Sequence, residues 1–307
     1  MNNFNFVGLN KTKNYFEGWY LRITDEDNHS YSFIFGISLY KNDPHSFIQI
    51  LDATEKKSYY FRFEVSDFYY NKDAIRIKDN IFGINQLKIS IDPFDIDLNI
   101  NPTVFIQRNG LAKCAMGFFK HLPLTTYHEI IFMKAKIEGS LKTKNHDGLV
   151  NGVGYMEKNF GCRFPKQWLW IQTNHFEKYN ASFILAQADL IGKCDGFFSI
   201  LNVDGDEFRF ATYNGFRIER NFEGNDIKVT IEREDICLIV KVKYEPGNLL
   251  IASLDKGKMA KEIEESLTST LTLSLYRGSE LIFQDTATNV GCENLYPLDL
   301  KEEKKAS

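Results

Sequence analysis

The segment IRIKDNIFGINQLKISI, residues 75–91, alternates apolar and polar side chains on both sides of a turn, and FRIERNFEGNDIKVTIE, residues 216–232, has the same pattern. Such alternation is typical of β-strands that are buried on one face. Further segments of this kind run along the chain, including YSFIFGISLY, HSFIQILD, ASFILAQADL, GFFSILNVD and CLIVKVKY. The sequence therefore predicts a protein that is almost entirely antiparallel β-structure.

The order of these segments is repeated at long range. SFI occurs at residues 32 and 182, and FRF occurs at 61 and 208. The separation between the two copies falls slowly along the chain, from 150 residues for SFI to 147 for FRF and 141 for the segments that begin at 75 and 216. Two copies of one domain with different loop lengths produce such a drift, whereas chance matches would not stay in order. We therefore predict two similar β-barrel or sandwich halves.

The connection between the halves is predicted at KTKNHDGLVNG, which is polar and rich in glycine and asparagine. The N-terminal domain is then expected over residues 1–145 and the C-terminal domain over residues 146–307. In this arrangement Trp19 and Trp168 occupy equivalent places. Only MAKEIEESLTSTL, residues 259–271, has the apolar spacing of a short helix, and it is predicted to form either that helix or a loop before the next strand.

The composition is that of a globular protein, with 43% hydrophobic residues, 25% charged residues and a formal net charge of −4. Basic residues are scattered among acidic ones, so no nucleic-acid surface is predicted. The chain has no apolar leader and no run of about 18 apolar residues. It is therefore expected to be cytoplasmic and without a membrane span, with only peripheral membrane contact left open. No CxxC pair occurs, and five free thiols are predicted: Cys114, Cys162, Cys194, Cys237 and Cys292.

One segment, GYMEKNFGCRFPKQWLWIQTN at residues 154–174, concentrates aromatic and polar side chains. On a strand, the period of two places Trp168 and Trp170 on one face, which Gln172 and Asn174 continue. A large aromatic corner of the core is one interpretation of this pattern, because tryptophan is usually buried. The mixture of indoles and amides on one face favours a binding site instead.

Three blocks of the sequence resemble the tocopherol cyclase family: YFEGWYLRI at 15–23, LPLTTYHEIIFM at 122–133, and GYMEKNFGCRFPKQWLWIQTNHF at 154–176. The resemblance extends from about Tyr15 to Asn294, and it departs from the family pattern at Phe160, where tryptophan is usual. It implies two lipocalin-like β-barrel halves, similar to carotenoid hydratase-like and other isoprenoid-handling proteins. The plant and cyanobacterial enzymes of this family close the chromanol ring of vitamin E from a prenylated quinol.

Cyclisation of a prenylated quinol requires a proton for the alkene, a pocket for the resulting tertiary cation, and an oriented phenol oxygen to trap it. This chemistry needs no metal, nucleotide or redox cofactor, and the expected partner is an apolar small molecule. Glu157 is the predicted proton donor, which requires burial to raise its pKa. The indole faces of Trp168 and Trp170 would stabilise the cation.

Other residues of the three blocks complete the predicted site. Glu17, with Trp19 and Tyr20, supplies the same residue types from the first half. His128 is expected to orient or deprotonate the quinol oxygen, and Gln172 and Asn174 are expected to hold the other oxygen.

Two alternatives to this enzyme remain open at the level of the sequence. A non-catalytic carrier of an apolar ligand would need the aromatic cavity but no acid. A carbohydrate-active protein would use Glu17 and Glu157 as a carboxylate pair. Glu157 could also form an ordinary solvated pair with Lys158, although strand geometry predicts that these two side chains point to opposite faces.

Overall fold

The computed structural model describes residues 4–108, 114–189 and 195–297. Nearly all of this part of the chain is β-structure. Short 3₁₀ helices lie at Gly8–Asn10, Val65–Asp67, Gly117–His121 and Thr212–Asn214. The strands are β1 (Phe16–Asp25), β2 (Ser30–Ser38), β3 (His45–Asp52), β4 (Lys57–Phe63), β5 (Phe68–Tyr70), β6 (Ala74–Ile77), β7 (Asn80–Gly83), β8 (Gln86–Ile91), β9 (Phe94–Val104), β10 (Thr126–Lys142), β11 (Asp147–Gly161), β12 (Trp168–Thr173), β13 (Ala181–Asp189), β14 (Asp195–Val203), β15 (Asp206–Ala211), β16 (Arg217–Glu223), β17 (Asp226–Arg233), β18 (Ile236–Lys243), β19 (Asn248–Asp255), β20 (Lys258–Arg277) and β21 (Glu280–Asn294).

The strands form two antiparallel sheets, which confirms the predicted all-β fold of two lipocalin-like halves. The first sheet has the order β4-β3-β2-β1-β11-β10-β9-β8-β7-β6-β5, and the second has the order β15-β14-β13-β12-β21-β20-β18-β17-β16. Strand β19 pairs with β20 beside the second sheet. When β1 is matched to β12 and β11 to β21, the two orders correspond over nine strands, as an internal duplication requires, and β6 and β5 extend the first sheet beyond the match.

Trp19 and Trp168 lie on the corresponding strands β1 and β12, but their side chains enter different cores. Trp19 is fully buried in the core of the first sheet, whereas Trp168 belongs to a cluster that contains side chains from both sheets. Successive residues of a strand point to opposite faces, so the equivalence of two strands does not make every residue on them equivalent. The predicted equivalence therefore holds for the strands and not for the two indoles.

The stretch KTKNHDGLVNG is a hairpin turn within the first sheet rather than the connection between the halves. It joins β10 to β11, and β11 pairs along its length with β1, from Phe16 opposite Gly161 to Asp25 opposite Gly152. The chain passes to the second sheet only after Gly161. We therefore propose a domain boundary within residues 162–167 instead of at 145/146.

The segment at 259–271 is part of the long strand β20 and is neither a helix nor a loop. Its buried residues fall at every second position from Ile263 to Leu271, while the residues between them are mostly exposed. Pairing with β18, β19 and β21 decides its conformation. β20 is the central strand between its two chain neighbours β19 and β21, and pairing of this kind overrides local helix spacing.

Three large apolar clusters, together with a small one of Tyr15, Ile37 and Leu39, hold the described part of the chain together. Each sheet has its own core, and a third core, which includes Tyr20, Trp168 and Trp170, lies between the sheets. Among the described cysteines all are free thiols: Cys114, Cys162, Cys237 and Cys292. Cys194 and the terminal KEEKKAS lie outside the described residues. No helix in the described ranges is long and apolar enough to cross a membrane.

Candidate active site

A cavity of about 200 Å³ lies between the two sheets, within the third core. It is lined mainly by apolar side chains, among them Phe47, Phe198 and Ile263. Five of the residues that the sequence predicted for the site also line it: Tyr20, His128, Glu157, Trp168 and Trp170. The structure thus brings residues from both halves to one enclosed, mostly apolar space, as is typical of small-molecule sites.

The register of the strands explains how two indoles fit beside this cavity. Trp168 lies opposite Ala188 and Trp170 lies opposite Ala186 in the β12–β13 pair. Residues that are opposite one another in an antiparallel pair share a face, and their Cβ atoms are about 5 Å apart. Because alanine has a small side chain, both indoles have room on the face that lines the cavity.

Glu157 is surrounded by hydrogen-bond donors. Its Oε2 accepts bonds from the Tyr155 hydroxyl at 2.7 Å, from Trp170 Nε1 at 2.9 Å and from His128 Nε2 at 2.8 Å. Its Oε1 accepts a bond from Asn159 Nδ2 at 2.9 Å. Burial raises the pKa of Glu157, but the charge that His128 carries when it is protonated and these hydrogen bonds outweigh burial and leave the pKa below its ordinary value. Glu157 is therefore a carboxylate, and the prediction that it is a neutral acid is wrong.

Lys158 points away from this site, as strand alternation predicted. Its Nζ lies 3.0 Å from Glu17 Oε1, and both side chains are fully buried. Glu17 also accepts bonds from the Tyr15 hydroxyl at 2.6 Å and from the Gly8 backbone N–H at 3.1 Å. Glu17 does not line the cavity and does not face Glu157, so we remove it from the predicted catalytic residues. The Glu17–Glu157 pair that was predicted for a carbohydrate-active site therefore does not form in the described cavity.

Glu293, which the sequence interpretation missed, is the acid of this cavity. It lines the wall, lies opposite Trp170 in the β12–β21 pair, and accepts a 2.5 Å hydrogen bond from Trp168 Nε1. Burial and the nearby charge of Glu265 raise the pKa of Glu293 well above its ordinary value. The surroundings of Glu293 therefore favour its protonated form more than those of an ordinary glutamate do. Its strand was not recognised in the sequence, and its partner Trp168 is 125 residues away, so no local signal identified it.

A third carboxyl group, Glu265, lies behind the cavity wall. It accepts hydrogen bonds from the hydroxyls of Tyr20 and Ser32, and its Oε2 has no protein partner. Burial is the main cause that raises the pKa of Glu265 to about 7. Tyr20 separates Glu265 from the cavity and packs edge to face on Trp170, with ring centroids 5.7 Å apart.

Three further predicted residues lie outside the cavity, where they bind other parts of the protein. Gln172 Oε1 accepts a 2.7 Å bond from Arg22 Nη1, and Asn174 Nδ2 donates to the Gly154 carbonyl at 3.2 Å. Trp19 Nε1 donates to the Phe4 carbonyl at 2.8 Å in the core of the first sheet. Gln172 and Asn174 continue the face of Trp170, but they lie beyond the end of the cavity, where polar groups link the two sheets.

Solved structures with the same fold define the class as lipocalin-like proteins of two half-barrels. A protein described as AttH from Nitrosomonas europaea has a TM-score of 0.54 and 11% identity, with 92% of this chain and 93% of that chain covered. CghA in complex with Sch210972 has a TM-score of 0.59 and 8% identity, with 91% and 88% covered. Kievitone hydratase from Nectria haematococca has a TM-score of 0.51 and 12% identity, with 91% and 88% covered. At these identities the likeness shows a common fold.

The family comparison confirms the resemblance and covers two of the three sequence blocks, those at 122–133 and 154–176. The model of the tocopherol cyclase-like family matches residues 84–192. This range contains His128, Glu157, Trp168 and Trp170, whereas Glu293 lies outside it. None of the curated proteins matches the chain.

Proposed function

We propose that this protein is an enzyme of the cyclase, isomerase or hydratase type that protonates an alkene of a prenylated quinol or another isoprenoid-bearing molecule. The observation that carries the proposal is the pairing of opposite proton-transfer groups in one apolar cavity. The pKa of Glu293 is raised there, whereas that of Glu157, which binds His128 Nε2, is lowered. A pair of titratable groups whose environments push their pKa values apart is typical of acid–base catalysis.

Glu293 is placed to give the first proton. Its O–H bond breaks as a C–H bond forms at the less substituted alkene carbon, and a tertiary cation remains. The Trp168 and Trp170 rings line the same cavity and attract a cation through their π-faces. The Glu293 carboxylate left behind stabilises the same cation, because opposite charges attract strongly where water is excluded.

His128 is placed to accept a proton from the trapping oxygen. The Glu157 carboxylate has no hydrogen to donate, so the 2.8 Å contact requires the proton to be on His128 Nε2. In the neutral ring this leaves Nδ1 as an acceptor. The phenol O–H bond breaks as the C–O bond forms, the proton goes to Nδ1, and Glu157 stabilises the imidazolium. The proton returns to Glu293 through solvent after product release, so the cyclisation is an isomerisation.

A non-catalytic carrier of an apolar molecule is the second candidate function. The observation that favours it is that both cavity carboxyls are already hydrogen-bonded to indoles, Glu293 to Trp168 and Glu157 to Trp170. Such bonds also satisfy buried polar groups in a protein that performs no chemistry. Mass spectrometry of lipid extracted from the purified protein would identify a carried ligand.

Turnover in D₂O separates the two functions. A panel of prenylated quinols is incubated with the protein, and the products are analysed by mass spectrometry. The enzyme is expected to give a product of the same composition that carries one non-exchangeable deuterium at the protonated carbon. If no quinol is converted, while an apolar ligand copurifies with the protein, the carrier is correct.

A further inference from the structure

Asn159 lines the cavity, and the mechanism above gives it no role. It lies on β11 directly opposite His128 of β10, so the two side chains share the face that points to the cavity. Its Nδ2 donates a 2.9 Å hydrogen bond to Glu157 Oε1. Asn159 is thus a neighbour of the proposed base and is held by the same carboxylate.

The bond to Glu157 determines which end of the Asn159 amide faces the cavity. A carboxylate accepts hydrogen bonds and donates none, so the NH₂ group must be the end that contacts Glu157. The carbonyl oxygen Oδ1 is then turned away from Glu157. Among the described residues no hydrogen bond to Oδ1 is present, and Oδ1 is not one of the fully buried polar atoms without a partner. Oδ1 is therefore an available acceptor at the cavity wall, beside His128.

We propose that Asn159 is a specificity-determining residue whose Oδ1 accepts a hydrogen bond from a hydroxyl of the ligand. The cavity would then select a phenol or quinol over an analogue without the hydroxyl. It would also reject the quinone form, whose carbonyl oxygen would face Oδ1 with no hydrogen between the two acceptors. This inference rests on the proposed function only in requiring that the cavity hold an apolar ligand, and it does not require turnover.

The size of the selection follows from what a bound ligand does to Oδ1. A ligand without the hydroxyl covers Oδ1 and leaves it unpaired, and an unpaired buried acceptor weakens binding by about tenfold or more. His128 Nδ1 is a second acceptor nearby, so some preference for the hydroxyl is expected to remain when Asn159 is changed.

The test is equilibrium binding, measured by calorimetry, of 2-prenylphenol and of prenylbenzene, which differ only in the hydroxyl. The wild-type protein is expected to bind the phenol more tightly, and Asn159→Leu is expected to reduce the ratio of the two affinities by about tenfold while it leaves the affinity for prenylbenzene nearly unchanged. A merely structural role would lower both affinities together. Asn159→Ala serves the same comparison if the leucine variant does not fold.

Tyr155→Phe is the matched control. It removes the Tyr155 hydroxyl, which donates a 2.7 Å hydrogen bond to Glu157. Tyr155 itself does not line the cavity. Its affinity ratio is expected to equal that of the wild type. If the affinity ratio is unchanged in both Asn159 variants, or falls equally in Tyr155→Phe, Asn159 does not determine specificity. The cavity would still be the ligand site in that case. Failure of the wild-type protein to bind either ligand would overturn both proposals.

Discussion

Glu157 and Glu293 are both buried carboxyl groups of one cavity, yet their surroundings shift their pKa values in opposite directions. Burial raises the pKa of both, but four hydrogen-bond donors, one of them His128, surround Glu157, whereas Glu293 lies near Glu265 and accepts one bond among the described residues, from Trp168. Opposite charges and donors stabilise the charged form, and burial and like charges stabilise the neutral form. Neighbouring charges and donors, rather than depth of burial, therefore distinguish the proposed acid from the carboxylate that supports the base.

Glu293→Gln is expected to abolish turnover and to preserve the fold and ligand binding. The amide has the same shape and its oxygen can still accept the Trp168 bond, but it has no acidic proton. We expect a loss of about 10²-fold or more in kcat, the usual scale for a removed general acid. Glu262→Gln, at an exposed position of β20, is the control and should leave kcat unchanged. Unaltered kcat in Glu293→Gln would exclude Glu293 as the donor.

Glu265 gives the stability of the protein a defined pH dependence. Its pKa is raised from 4.5 to about 7, so its contribution to stability is complete below the unfolded value and is lost as pH rises through the folded value. At about 1.4 kcal/mol per pH unit the shift corresponds to about 3 kcal/mol. Between pH 5 and pH 8 the free energy of unfolding of wild type should fall more steeply than that of Glu265→Gln. Urea unfolding of both proteins at pH 5 and at pH 8 measures the difference. An equal fall in the free energy of unfolding of the two proteins would contradict the prediction.

At the scale of the strand, Gly18 of β1 and Gly36 of β2 are opposite one another but differ in what surrounds them. Gly18 lines the cavity, and an added Cβ would meet only ordinary contacts, the nearest at 3.7 Å from Ile34 Cγ2. An added Cβ at Gly36 would overlap the Phe47 ring and lie 2.8 Å from the Glu17 carbonyl oxygen. One glycine keeps the cavity open, and the other permits close packing.

Gly18→Val should therefore fill part of the cavity without destabilising the sheet. We expect ligand affinity to fall by about tenfold or more with little change in Tm, because valine also suits a strand. Gly36→Ala, the matched variant, should instead lower the free energy of unfolding by about 1–3 kcal/mol through overpacking. Calorimetric binding and thermal unfolding of both variants test the pair, and a stable Gly18→Val that binds normally would show that the ligand lies elsewhere.

At the scale of the whole molecule, Arg22 joins the two halves. It extends from β1 and donates to Gln172 Oε1, to the Leu267 carbonyl at 3.3 Å and to the Asn289 carbonyl, all in the second sheet. Arg22→Met would keep the apolar stem but leave these buried acceptors unpaired. We expect the free energy of unfolding to fall by about 2 kcal/mol or more. Denaturant unfolding measures it, and a variant as stable as wild type would show that the Arg22 hydrogen bonds do not contribute to joining the halves.

The sequence predicted the features that depend on local periodicity. It did not predict contacts that depend on pairing between strands far apart in the chain. Alternation and the ordered repeat indicated the all-β duplicated fold, and same-face spacing indicated Trp168 and Trp170. Strand alternation also separates Glu17 from Tyr20, because residues three positions apart on one strand point to opposite faces. The role of Glu293 depends on pairing between β12 and β21, and no spacing within either strand reveals it.

The placement of the three tryptophans makes the intrinsic fluorescence of the protein sensitive to ligand binding. Trp168 and Trp170 line the cavity with their N–H groups bound to carboxyl groups, while Trp19 is sealed in the first core. Two of the three indole chromophores therefore sense whatever enters the cavity, and the third supplies a constant background emission. Binding of a phenol should shift the emission of the first two while leaving that background in place, whereas the matching quinone, which the cavity is expected to reject, should leave the whole spectrum unchanged at the same concentration.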